Sequence, residues 1–351
     1  MFSIRPRILS SNYLIAKRFL ATAAISNLPK PTFNVEEIRD LPYEDNVNLA
    51  WKQLVPYKLN IPKTNTPILF LHGLFGSKNS FNAVGRELSA VTRHPVYAVD
   101  LRNHGDSPHA LPHTYTIMAH DVNKFIQERN WDECILVGHS MGAKVAMLVS
   151  LLYPELVSKL VVIDNTPHSK PLDVSFYKDL LGMCEVEAKG EEYKGPNGKT
   201  VEDVKKVDAF LEQYQKSKKV RDLLTSNLFR TRKDFQNRRY HSPKKEMFKV
   251  PVMNFYKYGV LDTIGSWPSL PDVDKFDKPV MVMYGEQSDF VLPEYHEQFD
   301  KYFTNVSYTP FDAGHWISVD SPGKFITELT KFIIPDFVNK PPYKKYKYKF
   351  I

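Results

Sequence analysis

A serine between two glycines is the clearest chemical feature of this sequence. Ser140 lies at the centre of Gly138-His139-Ser140-Met141-Gly142, after an apolar run and before a helix-favouring stretch. A serine on a sharp strand-to-helix turn needs small residues two positions away on each side, because larger side chains would crowd the turn. The following helix N-terminus favours developing negative charge. The pattern predicts that Ser140 is a nucleophile for acyl transfer.

Acyl transfer through a serine also needs backbone N–H groups that stabilise the oxyanion of the tetrahedral intermediate. Met141, directly after the serine, is expected to supply one donor. The second is expected from a loop after an earlier strand, and residues 70–77 (FLHGLFGS) fit this position. In that loop Leu74 follows His72-Gly73, so we expect Leu74 to supply the second N–H.

The general base is expected to be a histidine late in the chain, because such sites run in the order serine, acid, histidine. Among eleven histidines, only His315 lies in a glycine-bounded loop between the last strand and the last helix. His139 adjoins the nucleophile, but neighbours on a strand point to opposite faces. We interpret His72 and His104 as loop-shaping residues. Three further histidines lie in or near the segment 166–270 and are weaker candidates: His168, His241 and His296.

The acid has two candidate positions. It usually lies three residues after a glycine, at the end of the strand that follows the inserted helices. Three residues after Gly285 stands Ser288, which is not a carboxylate, and Asp289 comes one residue later. Asp164 ends the apolar run 159–164, whose strand should neighbour the nucleophile strand. Either carboxylate could orient the imidazole, and we favour Asp164.

The elements that must position these residues follow an alternating pattern. Near-continuous apolar runs typical of buried parallel strands alternate with helical segments such as 115–130 and 143–155. This alternation predicts an α/β fold with a mostly parallel sheet flanked by helices, and ligands at the carboxyl ends of the strands. The predicted strands occupy residues 67–72, 96–101, 134–139, 159–164 and 279–285.

Residues 166–270 interrupt this pattern, because they are charged and helical in character, as in 199–229. We therefore predict a first core part at 35–165, an inserted helical lid at 166–270 and a second core part at 271–337.

The two ends of the chain carry its positive charge. Residues 1–24 hold four basic and no acidic residues, and the tail at 338–351 holds five lysines, so the remainder has a net charge of −2 although the whole chain has +7. A basic nucleic-acid-binding body is therefore excluded. Residues 1–24 have the amphipathic, arginine-rich pattern of a mitochondrial presequence, which predicts location in the mitochondrion.

No apolar run is long enough to span a membrane. The two cysteines, Cys134 and Cys184, predict neither a disulfide framework nor a metal site.

Five motifs together resemble the α/β-hydrolase superfamily: LHGLFGS (71–77), DLRNHGDSPH (100–109), VGHSMGAK (137–144), VVIDNTP (161–167) and AGHW (313–316). More narrowly, they resemble the mitochondrial abhydrolase branch that includes the yeast ethanol acetyltransferases, over residues 35 to 335. In that branch a serine fills the usual acid position, and the acid follows the strand after the nucleophile helix. The resemblance therefore implies the triad Ser140, Asp164 and His315.

The resemblance also implies an activity. It implies acetyl transfer from acetyl-CoA to ethanol or another short alcohol through an acyl-serine, with thioesterase and esterase side activities. Acetyl-CoA would be a substrate, and no cofactor or metal is expected. A mitochondrial serine carboxylesterase or thioesterase without alcohol transfer remains an alternative, because it would use the same residues. An inactive hydrolase that serves as a binding protein is disfavoured by the intact triad.

Overall fold

The computed structural model of the chain describes residues 28–55, 66–193, 204–229 and 247–335. The predicted presequence at 1–24 and the basic tail at 338–351 lie outside the described residues. Within the described ranges, no helix combines the length and apolar character that crossing a membrane requires.

A seven-stranded sheet forms the centre of the molecule, in the order β1-β3-β2-β4-β5-β6-β7. Strands β2 to β7 run parallel to one another, and the edge strand β1 pairs antiparallel with β3. The prediction of an α/β fold with a mostly parallel sheet is confirmed. The strands are β1 (Trp51–Gln53), β2 (Ile68–Leu71), β3 (Val96–Val99), β4 (Cys134–His139), β5 (Val157–Ile163), β6 (Val280–Gly285) and β7 (Val306–Phe311).

Helices cover both faces of the sheet, and a separate buried apolar cluster fills the space on each face. The central strands are therefore apolar at nearly every position, since neither face meets water. The α-helices of the described residues are α1 (Asn82–Thr92), α2 (Tyr115–Gln127), α3 (Met141–Leu152), α4 (Val174–Ala188), α5 (Val204–Leu211), α6 (Lys218–Ser226), α7 (Val252–Lys257), α8 (Val260–Gly265), α9 (His296–Asp300), α10 (Ile317–Asp320) and α11 (Pro322–Ile333).

The register of the central strands brings their carboxyl ends to one level. Leu71 of β2 pairs with Gly138 of β4, and His139 of β4 pairs with Ile163 of β5. Ile163 pairs in turn with Met283 of β6. The loops that follow these four strands therefore meet at one edge of the sheet, where ligands bind in folds of this type.

Helices α4 to α8 all lie between β5 and β6, in the segment 166–270. The helical pattern at 199–229 forms two helices rather than one, with 199–203 outside the described residues. Ser217 ends the break between α5 and α6, because its hydroxyl accepts a hydrogen bond from the Val220 N–H and caps α6.

The two edge strands are absent from the sequence prediction. Trp51 and Gln53 of β1 are exposed, and β7 alternates partly exposed residues and contains Pro310. Edge strands pair on one side only and tolerate polar residues and proline. They consequently lack the continuous apolar run by which the central strands were recognised.

Candidate active site

The backbone at Ser140 has a conformation that few L-residues adopt, with φ 53° and ψ −117°. The Ser140 N–H donates to the Ile163 carbonyl at 2.9 Å, which fixes the turn to β5. A Cβ at Gly138 would lie 2.2 Å from the Gly142 carbonyl oxygen, and one at Gly142 would lie 2.3 Å from that of Leu71. Both glycines are therefore required for helix α3 to approach the sheet directly beneath the serine.

Asp164 is fully buried at the end of β5 and faces the loop that carries His315. Its Oδ2 lies 2.6 Å from His315 Nδ1 and also accepts a hydrogen bond from the Ser288 hydroxyl at 2.5 Å. Its Oδ1 accepts from the Gly285 N–H at 3.2 Å. The Ser288 hydroxyl and the Gly285 N–H therefore hold the Asp164 carboxylate in an orientation that faces His315.

Asp289, the other acid candidate, has an exposed side chain, and its carbonyl oxygen accepts a hydrogen bond from Lys170 Nζ at 2.6 Å. Ser288, one residue earlier, is the residue that faces Asp164. The structure thus brings Asp164 and Ser288 together and leaves the Asp289 carboxylate outside this cluster.

His315 is held by contacts on its ring and on its backbone. The Phe290 ring stacks on the imidazole with centroids 4.3 Å apart. His139 Nε2 donates to the His315 carbonyl oxygen at 2.9 Å. Burial, with a smaller contribution from the nearby His315, lowers the pKa of His139 to about 3. His139 therefore stays neutral at physiological pH, and its one ring proton, on Nε2, is used to fix the loop.

Ser140 and His315 face the same open space. Within the described residues, no hydrogen bond of 3.5 Å or less joins the serine hydroxyl to the imidazole. Both residues nevertheless line the same two cavities. Nucleophile–base hydrogen bonds are often long in the absence of substrate and shorten when it binds.

The loop after β2 passes close to the serine, because a Cβ at Gly73 would lie 3.1 Å from the Ser140 Cβ. Leu74 follows in this loop, and its N–H donates to no acceptor within the described residues. Met141 is the first residue of α3, where an N–H has no partner inside the helix. Among the described residues, the N–H groups of Leu74 and Met141 thus have no backbone acceptor, and both residues line the polar side of the site with Ser140.

Two buried histidines hold this loop, as the sequence interpretation expects. His72 Nε2 accepts from the Leu101 N–H at 3.0 Å, and His104 Nε2 accepts from the Phe75 N–H at 3.2 Å. Burial lowers the pKa of His72 to about 4 and that of His104 to about 3. The neutral rings can therefore accept these hydrogen bonds at physiological pH.

Two cavities of about 410 and 450 Å³ meet at the serine. Each falls in the range of small-molecule sites, roughly 300–1,000 Å³. The smaller is the more polar, and we call it the polar cavity. The larger is walled mostly by apolar side chains, and we call it the apolar cavity. The residues that line both are Leu74, Ser140, Phe176, Phe290 and His315.

Two residues absent from the sequence prediction tie the site together. The Asn165 side-chain amide donates to the Ser140 carbonyl at 3.0 Å. The Lys144 ammonium, buried on α3, donates to the carbonyls of His168 and Ser266, at the two ends of the inserted helices. Burial lowers the pKa of Lys144 to about 7. Asn165 and Lys144 lie close in sequence to Asp164 and Ser140, and this proximity was the one indication in the sequence that they belong to the site. Proximity in sequence does not reveal the direction of a side chain.

A strained serine turn between strand and helix, with a histidine–carboxylate pair on later loops of a parallel sheet, defines a class of serine hydrolases and acyltransferases. The chain belongs to the α/β-hydrolase fold family, whose model matches residues 66–322. The superfamily resemblance is confirmed, and the chain is an enzyme of this class.

Curated relatives and solved structures agree with this membership. The chain is 32% identical to a "Probable alcohol acetyltransferase" of Saccharomyces cerevisiae over 77% of its length and 78% of the relative. It is 30% identical to the "sn-1-specific diacylglycerol lipase ABHD11" of Danio rerio, over 77% and 79% of the two chains. The solved "Marine microorganism esterase" is 25% identical, has a TM-score of 0.66, and matches 82% of this chain and 99% of its own.

Proposed function

We propose that this protein is an alcohol O-acetyltransferase, which forms ethyl acetate from acetyl-CoA and ethanol through an acetyl-serine intermediate. Ser140 is the nucleophile, His315 the general base and acid, and Asp164 the carboxylate that orients His315. The observation that carries this proposal is the 2.6 Å contact between His315 Nδ1 and Asp164 Oδ2 beside the strained Ser140 turn.

In the first half-reaction the Ser140 hydroxyl oxygen attacks the thioester carbonyl carbon, and His315 Nε2 takes the hydroxyl proton. The carbonyl oxygen becomes an oxyanion, which the N–H groups of Leu74 and Met141 stabilise. Collapse breaks the carbon–sulfur bond, and the imidazolium returns its proton to the leaving thiolate. Asp164 stabilises the imidazolium charge and keeps Nδ1 protonated.

In the second half-reaction His315 takes the proton of the acceptor hydroxyl, whose oxygen attacks the acetyl-serine. The new oxyanion collapses, Ser140 regains its proton from His315, and the ester leaves. Support for a two-substrate reaction comes from the two cavities, because each is lined by Ser140 and His315. One substrate could then occupy each side of the nucleophile.

The names of several relatives support the acetyl donor and the alcohol acceptor. Beyond the yeast protein, an "Ethanol acetyltransferase 1" of Cyberlindnera fabianii is 30% identical over 87% of this chain and 92% of its own.

Hydrolysis, with water as the acceptor, is the second candidate function. The His315 side chain is 15% exposed, so water can reach the base. A diacylglycerol lipase among the relatives and an esterase among the solved structures support it further.

Product analysis separates these functions. The purified enzyme is incubated with acetyl-CoA and ethanol; CoA thiol release is followed by a colorimetric reagent, and ethyl acetate and acetate by gas chromatography. Both reactions release the CoA thiol; transfer predicts ethyl acetate as the acetyl product, and hydrolysis predicts acetate without ethyl acetate. Ser140→Ala should abolish both products. Turnover that survives this substitution would refute the assigned nucleophile.

We also propose that the protein is located in the mitochondrion, on the basis of the basic, acid-free residues 1–24. A fluorescent protein fused to the C-terminus should co-localise with a mitochondrial dye and should lose that location when residues 1–24 are deleted. A full-length fusion that stays outside mitochondria would contradict this proposal.

A further inference from the structure

A carboxylate lies in the wall of the apolar cavity. Side chains such as Phe75, Phe81, Leu223, Leu224 and Trp316 form much of this wall, and Ser140 and His315 lie at one side. Asp179 of helix α4 belongs to the same wall and is only 5% exposed. A carboxylate in apolar surroundings costs free energy unless it is well paired.

Asp179 is only partly paired. Its Oδ1 accepts a hydrogen bond from Gln215 Nε2 at 2.9 Å, while its Oδ2 has no donor among the described residues. That second oxygen is not among the fully buried atoms without a partner in the described residues, and Asp179 lines the apolar cavity. Lys219, a cation of the same wall, already pairs with Asp320 at 2.5 Å. Gln215 Oε1 accepts a hydrogen bond from the Ser217 N–H, which helps to hold the side-chain amide that donates to Asp179.

Burial raises the pKa of Asp179 to about 6, and the hydrogen bond from Gln215 opposes part of that rise. The group is therefore mostly ionised at neutral pH and acts only as a hydrogen-bond acceptor. An occupant of the cavity that satisfies it must carry a donor. A hydroxyl fits better than an ammonium, since desolvating a second charge in this apolar space would cost much more.

We propose that Asp179 is a specificity-determining residue that accepts a hydrogen bond from a hydroxyl on the carbon chain of the substrate. The inference rests on the proposed function, because it assumes that the ester or thioester reacts at Ser140. It goes beyond that function in the substrate class, which becomes esters with a hydroxyl-bearing chain. The hydroxyl can come from the acyl chain or from the alcohol chain.

The experiment compares plain and hydroxylated esters of matched length. One arm uses ethyl, butyl and hexyl acetates against their ω-hydroxyalkyl counterparts, and the other uses ethyl esters of alkanoic acids against those of ω-hydroxyalkanoic acids. Acid release gives kcat/KM for each ester. We expect the wild type to favour the hydroxylated member at one chain length by about ten-fold or more, because a site built around a substrate hydroxyl rejects the analogue that lacks it. The arm that shows the preference identifies the chain that enters the cavity.

Asp179→Leu should reduce this ratio to about one, because kcat/KM should fall mainly for the hydroxylated ester. It should also keep or raise the melting temperature, because it removes a half-paired buried charge. Ser175→Ala, which removes a hydroxyl from the same wall, is the matched control and should keep the preference. A purely structural Asp179 would instead give a less stable Asp179→Leu protein with equal losses on all esters.

The inference is overturned if the wild type shows no preference in either arm while it hydrolyses plain esters. It is also overturned if Asp179→Leu keeps the preference, or if ω-amino esters are favoured over ω-hydroxy esters. Absence of Ser140-dependent turnover on every ester would instead refute the proposed function, so the two failures can be told apart.

Discussion

Asp164 and His315 are separated by 151 residues of sequence, yet His315 Nδ1 lies 2.6 Å from Asp164 Oδ2. The parallel pairing of β5 with β6 carries Asp164 to the edge where the His315 loop ends. The end of β6 packs tightly on the loop that carries His315, because a Cβ at Gly285 would lie 2.3 Å from the Gly314 carbonyl oxygen. The carboxylate thus reaches the imidazole from β5, the strand next to the one that leads to Ser140.

Asp164→Asn should lower kcat by about 10³- to 10⁴-fold with little change in KM, because an amide cannot stabilise the imidazolium or hold the productive tautomer. Steady-state kinetics on a chromogenic acetate ester would measure the loss. Asp289→Asn is the matched control, since its side chain is exposed, and should retain nearly full activity. The reverse pattern would transfer the acid role to Asp289.

Ser288→Ala should lower kcat by about 10- to 150-fold, since a hydrogen bond to a charged group contributes about 1.5–3 kcal/mol. The hydroxyl shares Asp164 Oδ2 with His315 and helps to fix that carboxylate. Ser288→Thr keeps the hydroxyl and should restore most of the activity under the same assay. Equal activity of the alanine and threonine variants would show that the hydroxyl does not act through Asp164.

The central sheet could be predicted from the sequence because it depends on local chemistry, and the predicted site residues Ser140, His315, Leu74 and Met141 all line the polar cavity. Buried strands have continuous apolar runs, and the serine turn needs its glycines. The choice between Asp164 and Asp289 could not be made from spacing alone, because it depends on which loop faces His315.

Contacts across the fold were also beyond the sequence. His139 donates to a carbonyl 176 residues away, and the Asn165 amide donates to the Ser140 carbonyl. Side-chain direction decides both contacts, and no periodicity encodes it. The carboxylate of Asp179 was hidden for the same reason, because a charged residue on an amphipathic helix ordinarily faces water.

Gly138→Ala should destabilise the protein by about 1–3 kcal/mol or more, because the new Cβ would collide with rigid backbone at the Ser140 turn. Urea unfolding followed by circular dichroism would measure the free energy of unfolding. Gly323→Ala is the matched control, since Gly323 is an exposed helical residue with nothing within 4 Å of an added Cβ. It should stabilise the protein by up to about 1 kcal/mol. Similar effects at both positions would argue against the close packing of α3 on the sheet.

The protein should lose stability as the pH falls from about 6.5 towards 4, because His72 and His104 are buried in the neutral form. Burial lowers the pKa of His72 from 6.5 to about 4, and that of His104 to about 3. The unfolded chain therefore binds more protons in this window, and the free energy of unfolding decreases with falling pH. The shift at His72 alone corresponds to about 3 kcal/mol across the window.

Urea unfolding at pH 7.0, 5.5 and 4.5 would measure this loss. His72→Gln, which does not titrate, should be less stable than the wild type at pH 7.0, because the glutamine cannot reproduce the ring contacts to Gly73 and Leu101. Its stability should nevertheless fall less steeply between pH 7.0 and 4.5, since one proton-binding group has been removed. A wild type whose free energy of unfolding is constant over this range would contradict the buried neutral state of both histidines.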